Sequence, residues 1–592
     1  MSDKKYQKGG EFLLAAVNAE EIFTPEDFTS EQRMIAKTTA DFVRQEVWPK
    51  IDKIEVQEEG VTQDLMLQAA ELGLLMVDIP QEYGGLGLDK ASSALITENM
   101  GMAGSFSVTH AAHTGIATLP IVFYGNKEQK EKYLSGLAEG EIGAYCLTEP
   151  GSGSDALSAK TTAILSEDGK SYILNGTKQF ITNAQWAKTF IVFAKVDGKE
   201  FTAFIVERGM PGVSIAPEEL KLGIKGSSTA ALILEDAEVP VENLLGEIGK
   251  GHLIAFNILN IGRYKLGAGV LGAAKLALEY AVKYTLERKQ FKKSLSEFGL
   301  IRKKIAEMTS RIFVAESLVY RTVGLIDNIL EGVKDLPGDN SQEILKGIEE
   351  YAIECSISKV YASEMVDFVI DESLQIFGGY GYSQEYPVER LYRDARINRI
   401  FEGTSEINRL LIPGMLLRRA LQGDLPLMRV LENLKNEVAG ATPKDKPAES
   451  RAGELAWYRE KLEGARKAVL MAAGLAVEKH FKDISERQEL LALLADMIME
   501  YYALESTLMR LEKGSFSPAS WQFQALLNYF PQALERLRIW GREVIGAVVT
   551  PSQLPGKIVA FENFCQFTLF DMITVRDLLA EKIISDEGYP RN

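Results

Sequence analysis

A carboxylate set between an aromatic residue and a glycine ends the densest polar segment of the chain. In QIFGGYGYSQEYPVERLYRDARINRIFEGTSEINR (375–409), Glu402 follows Phe401 and precedes Gly403, where a helix-like run gives way to a loop. Apolar neighbours desolvate a carboxylate and raise its pKa, which suits a base that must take a proton from carbon. Arg390, Arg393, Arg396 and Arg399 lead up to it at three-residue steps, a pattern that ordinarily makes a solvated helix face. A second segment, YCLTEPGSGSD (145–155), joins unobstructed glycine N–H groups to the hydroxyls of Thr148, Ser152 and Ser154. Such a stretch allows close approach of a planar or phosphorylated ligand, and it equally makes a tight loop.

Two other patterns carry less. GAGVLG (267–272) satisfies the dinucleotide G-x-G-x-x-G spacing, but no bounded strand precedes it and no strand-tip acid follows. Small residues on a packed helix face explain it better. His110 and His113 share a helix face, yet no cysteine or carboxylate nearby completes a ligand set, so they read as core or pocket lining and no metal is expected.

Four stretches of different texture must position these residues. Residues 1–144 read as helical: the segment 28–52 opens with Thr29 or Ser30 as cap, the turn EYGGLG (82–87) breaks the pattern and 90–102 resumes it. Over 145–249 the period becomes two. Asn175-Gly176 within SYILNGTKQFI (171–181) predicts one hairpin turn, and Asp197-Gly198, between 189–196 and 200–208, predicts another. STAALILEDAEVP (228–240) closes a set of strands with no helix between them, hence an antiparallel sheet or barrel. Over 250–420 long amphipathic helices return, at 271–291 and 299–330, and a four-helix bundle would bury their stripes. A polar linker (440–450) falls within a helical extension, 421–592, that includes a helix at 489–513. The expected fold class is α+β multidomain.

The bulk numbers agree with several domains, since 592 residues exceed what one core supports. A formal net charge of −17 argues against nucleic acid as the main partner. Three cysteines without paired spacing fit a reducing compartment. The start, MSDKKYQKGGEF, resembles no secretory or transit signal, and no apolar run approaches the roughly 18 residues of a spanning helix. A soluble, cytoplasmic protein is expected.

YCLTEPGSGSD, KQFITNA (178–184), LERKQF (286–291), QIFGGYGY (375–382) and RIFEGTSEINR (399–409) resemble, in order and spacing, the signature segments of the acyl-CoA dehydrogenase family. The resemblance spans about residues 30–415. It implies an N-terminal helical domain, a middle β-domain and a four-helix bundle, with FAD as cofactor and α,β-dehydrogenation of an acyl-CoA to the trans-2-enoyl-CoA. By the same resemblance Glu402 is the α-proton base, and its N–H together with a ribityl hydroxyl holds the thioester carbonyl. Tyr145, Leu147, Thr148, Gly153 and Ser154 should run along the flavin, with Phe180, Ile181 and Thr182 packing beside its ring. Phe180 stands where the family commonly has Trp. Arg288, Gln375, Gly378 and Gly379 should meet the pyrophosphate and adenosine, Arg288 from a neighbouring subunit, and Thr404 and Glu406 should touch FAD. Ser154, Asn260, Arg263 and Gly403 should contact the substrate.

Some family branches carry the base on the helix where this chain has Gly262, which leaves Glu402 as the one candidate. The extension resembles the very-long-chain branch and its bacterial long-chain counterparts. Val108 and Ala112 replace bulkier polar residues at the base of the acyl pocket, which implies long-chain substrates. The resemblance further implies an electron-transferring flavoprotein as acceptor, a homodimer in which the extension blocks tetramer formation, and peripheral membrane contact through the C-terminal region. The alternatives are an acyl-CoA oxidase-like flavoenzyme and a non-catalytic assembly role on the same fold.

Overall fold

The computed structural model describes residues 7–333, 341–440 and 455–590; beyond Gly440, the predicted linker lies outside them. Helix α1 (Ser30–Phe42) begins with a capping box, in which Thr29 Oγ1 accepts the Gln32 N–H and the Gln32 side chain accepts the Thr29 N–H. Helices α2 (Lys90–Met100) and α3 (Ser105–Ala111) follow, and α3 runs on into a π-helical turn over Ala112–Ala117.

The middle of the chain forms one sheet from β1 (Gly143–Cys146), β2 (Thr162–Leu165), β3 (Ser171–Thr182), β4 (Thr189–Val196), β5 (Glu200–Glu207), β6 (Val213–Ile215), β7 (Thr229–Pro240) and β8 (Leu244–Leu245). The order is β6-β7-β3-β2-β4-β5-β8, with β1 beside β4. The sheet is antiparallel apart from the β1–β4 and β2–β4 pairings. Asp197 and Gly198, at φ 49° and 70°, make the β4–β5 hairpin turn. Asn175-Gly176 does not make a turn, contrary to expectation. It lies inside β3, where the register against β7 shifts between Leu174 and Gly176. Asn175 exchanges bonds with Asp236, and a Cβ at Gly176 would run into Thr161. The same two residues that favour a tight turn here serve a bulge, because close backbone approach also needs glycine.

Helices α4 (Gly251–Glu287), α5 (Gly299–Glu331), α6 (Ala352–Phe377) and α7 (Ser405–Gln422) carry the bundle. GAGVLG lies within α4, where Gly267 abuts Ser358 of α6 and Gly272 abuts the Glu98 carbonyl of α2. These glycines bring helices together. One apolar core joins the N-terminal helices (Leu65, Met66) to the sheet (Val192, Val239). The other runs through the bundle into the extension, whose main helices are α8 (Leu455–His480), α9 (Gln488–Lys513), α10 (Trp521–Val548) and α11 (Met572–Ser585). In α9, Leu490, Leu494, Met497 and Tyr501 are buried and Leu493 is half-buried, so the extension is an integral helical domain. No described helix is long and apolar enough to cross a membrane.

Candidate active site

Glu402 stands in the three-residue turn that precedes α7, with a left-handed backbone at φ 57°, followed by Gly403 at φ 81°. For a residue bearing a side chain this is a strained conformation, of the kind that packing maintains at functional sites. The turn is held from both sides. Asn408 Nδ2 donates to the carbonyls of Gly403 and Thr404, and Arg263 Nε of α4 donates to the Glu402 carbonyl at 3.4 Å. Thr404 caps α7 by accepting the Ile407 N–H. Among the described residues the Glu402 N–H donates to no protein group, and Glu402 Oε2 is buried without a partner. Burial raises the Glu402 pKa to about 7, against the opposing charges of Arg263 and Lys359. Gly262 of α4 faces the carboxylate so closely that a Cβ there would collide with Oε2. A side chain at position 262 and the Glu402 carboxylate therefore compete for the same space.

Glu402 opens into a cavity of about 160 Å³. Gly262, Leu266, Gly269, Val270 and Ala273 line it from α4, a stripe extending for roughly 16 Å at 1.5 Å per residue. Val108 and Ala112 line it as well, together with Met100 and Ile116. His110 also reaches the lining, and its Nε2 is bonded to the Leu74 carbonyl. His113 lies in the core, where its Nδ1 accepts the Gly143 N–H and its Nε2 bonds the Leu137 carbonyl.

On the cavity's sheet side, Thr182 joins the lining and Ile181 is buried, while Phe180 is 58% exposed at φ 58°. The Glu149 carboxylate anchors the neighbouring loop by accepting from Lys178 Nζ at 2.6 Å and from the Lys160 and Thr161 N–H groups. The Thr148 carbonyl accepts the Gln179 N–H. Leu147 and Tyr145 are buried, the Tyr145 hydroxyl without a partner. Gly153 and Ser154 are exposed, and the space where a Cβ would sit on Gly151 or Gly153 is open.

The remaining expected residues gather elsewhere. Arg288, Gly378 and Gly379 line a separate depression of about 490 Å³, with the Arg288 guanidinium 5.4 Å from the Tyr380 ring centroid. Gln375 is exposed at the end of α6, and a Cβ on Gly378 or Gly379 would meet nothing. Among the described residues, none lines both this depression and the Glu402 cavity. Glu406 is exposed on the first turn of α7. Asn260 and Arg263 are buried and bonded to each other, Nη1 to Oδ1 at 2.7 Å. The sequence reading missed Lys359, Lys178 and Lys265. Lys359 had one visible signal, being a lone cation in the otherwise apolar and small run SISKVYA (356–362).

Four family models match the chain, together spanning most of residues 29–555. They are the acyl-CoA dehydrogenase N-terminal domain over residues 29–141, the middle domain over 144–237, and two acyl-CoA dehydrogenase C-terminal domain models over 249–416 and 464–555. A probable acyl-CoA dehydrogenase of Bacillus subtilis is 55% identical over 509 residues, covering 86% of this chain and 85% of the relative. The human mitochondrial very long-chain specific acyl-CoA dehydrogenase is 37% identical, covering 78% of this chain and 72% of the relative. The crystal structure of acyl-CoA dehydrogenase complexed with FAD from Bacillus anthracis matches with a TM-score of 0.95 at 48% identity, covering 99% of this chain and 100% of that one.

Proposed function

Because the chain belongs to the acyl-CoA dehydrogenase family, oxidoreductases acting on the CH–CH bond of acyl-CoA, we propose that it converts a long-chain acyl-CoA to the trans-2-enoyl-CoA with Glu402 as base. The observation that carries this reading is a buried, unpartnered carboxylate with raised proton affinity at the head of a deep apolar cavity.

The residues present fit FAD. Phe180 offers an exposed aromatic face beside Thr182, and the glycines at 151, 153, 378 and 379 leave room for a ligand to lie against main chain. We assign Tyr145, Leu147, Thr148, Gly153, Ser154, Phe180, Ile181, Thr182, Thr404 and Glu406 to the flavin end. Arg288, Gln375, Gly378 and Gly379 take the pyrophosphate and adenosine. The separation of these two groups on one chain supports a dimer in which each subunit completes the partner's cofactor site. When bound, FAD supplies the acceptor for the β-hydride.

Glu402 takes the α-proton. Its free N–H is available to the thioester carbonyl, where negative charge builds as that proton leaves. Arg263 and Asn408 fix the turn, so the carboxylate needs no reorganisation to act. Asn260, Arg263, Gly403 and Ser154 flank the thioester arm, Arg263 acting through the main chain of the base. The stripe from Gly262 to Ala273 accommodates the acyl tail and excludes water. Electrons pass on to an electron-transferring flavoprotein. Anaerobic addition of palmitoyl-CoA should bleach the flavin and leave it bleached until that acceptor is added. Flavin that stays yellow, or that is reoxidised directly by oxygen at the catalytic rate, would contradict the assignment.

A further inference from the structure

Lys359, on α6, is fully buried, and among the described residues its Nζ has no hydrogen-bond partner. A buried ammonium without such a partner is costly, so something must favour the charge. The charges that act on it are Glu402 first, then Arg263 on α4, Glu364 further along α6, and Glu406 on α7. Arg263 is committed to Asn260 and to the Glu402 carbonyl, whereas Lys359 has no such bond. Glu402 Oε2 likewise has none. Where α6 meets α4, the contact is close: Ser358, adjacent to Lys359, packs on Gly267, five residues beyond the Gly262 that faces the carboxylate.

We propose that Lys359 is a positioning residue for the base, its ammonium lying behind the Glu402 carboxylate and favouring its ionised form. The inference rests on Glu402 being the base. The two effects are mutual, as linkage requires. Burial raises Glu402 and Lys359 opposes the rise; burial lowers Lys359 to about 8 and Glu402 opposes the fall. Without the ammonium, the carboxylate would hold its proton to higher pH, and less of the enzyme would carry a competent base.

The test is the pH dependence of anaerobic flavin bleaching in the FAD-loaded enzyme. Lys359→Met should move the acid limb up by about one pH unit, giving a roughly tenfold loss below the limb that recovers at alkaline pH. Lys359→Arg should keep the parent limb. A Lys359→Met protein that holds FAD and keeps the parent limb overturns the proposal, as does a uniform slowing at every pH. If neutral variants do not fold, the partner can be changed instead. The Lys359 ammonium, followed by NMR of 13C-labelled lysine, should lose its proton at lower pH in Glu402→Gln than in the parent, and an unchanged titration overturns the coupling. The outcomes separate the two readings. Bleaching that survives in Glu402→Gln removes the base itself, whereas an inactive Glu402→Gln beside an unmoved Lys359→Met limb removes only the role of Lys359.

Discussion

Two of the clusters of buried charge around the bundle are built on opposite principles. Where the extension docks, Arg510 is 1% exposed and fully engaged: Nη1 donates to Glu316 Oε2 at 2.7 Å and Nη2 to Glu26 Oε1 at 2.7 Å. Glu316 also bonds Lys275 and accepts from the Tyr589 hydroxyl. Burial alone would raise the Glu316 pKa, but Lys275 and Arg510 outweigh it and hold it well below the usual range. At the other cluster, Glu402 Oε2 and Lys359 Nζ stand without hydrogen bonds, as do Ser405 Oγ and Asn408 Oδ1 in the first turn of α7. Burial there wins and Glu402 rises to about 7. A saturated cluster fastens two domains, whereas an unsaturated one retains capacity for a proton or a ligand. Between these two clusters, incomplete hydrogen bonding goes with the proposed chemical site and full engagement with the domain junction.

The contrast can be broken most severely at the base. Glu402→Gln should keep FAD yet lose the reductive half-reaction by at least 10²–10⁴-fold, read as single-turnover bleaching. Wild-type-like bleaching would return Glu402 to an architectural role.

At the saturated cluster the effect should be on stability instead. Arg510→Met leaves Glu26 and Glu316 short of their shared cation, with an expected loss of about 3–5 kcal/mol in denaturant unfolding. The acid limb of bleaching should stay where it was. A loss under about 1 kcal/mol would mean the network contributes little beyond its packing.

The unsaturated cluster predicts a stability effect of the opposite sign. The Glu402 pKa is about 7 in the fold against an ordinary value of 4.5, so the fold prefers the protonated form. Stability on this account is complete below the unfolded value and declines as pH rises from about 4.5 toward 7. Glu402→Gln, always neutral, should therefore exceed the parent apoprotein by on the order of 1–3 kcal/mol above pH 7 and match it near pH 4. A variant less stable than the parent at alkaline pH would show that the carboxylate is not strained by its site. In the parent, kcat/KM should fall as pH drops below about 7, since the base is then occupied by a proton.

The smallest expected change is one of preference. Ala112→Glu puts a polar side chain into the apolar stripe and should shift the optimum toward shorter acyl chains, each unburied methylene forgoing about 0.8 kcal/mol. Activity profiles across acyl-CoA lengths that coincide with those of the parent would place the tail elsewhere.

Much of this could be read from the sequence. Period-two alternation announced the sheet, Thr29 or Ser30 a helix start that the structure caps with Thr29, and the Phe401-Glu402-Gly403 setting a desolvated carboxylate, because each of these depends on local chemistry. The Asn175-Gly176 reading failed for a physical reason. The dipeptide specifies backbone freedom, and whether that freedom becomes a turn or a bulge depends on what approaches it, here Thr161 and Asp236. Similarly, Arg263 could be given a charge but not a direction. Its guanidinium turns inward to Asn260 and the Glu402 carbonyl because α4 and the turn before α7 meet there.

By itself, then, the sequence determined most element types and their order, which follow from residue type and near-neighbour spacing, and through the resemblance of its signature segments the family, with Glu402 as the candidate base. Only the tertiary structure decided which buried charges found partners. Lys275 and Lys359 are both lysines on bundle helices, yet one is saturated by Glu98 and Glu316 and the other is buried without a hydrogen-bond partner among the described residues. That difference arises from helices distant in sequence crossing at particular residues, since hydrogen bonding and desolvation act over a few ångströms of space whatever the separation along the chain.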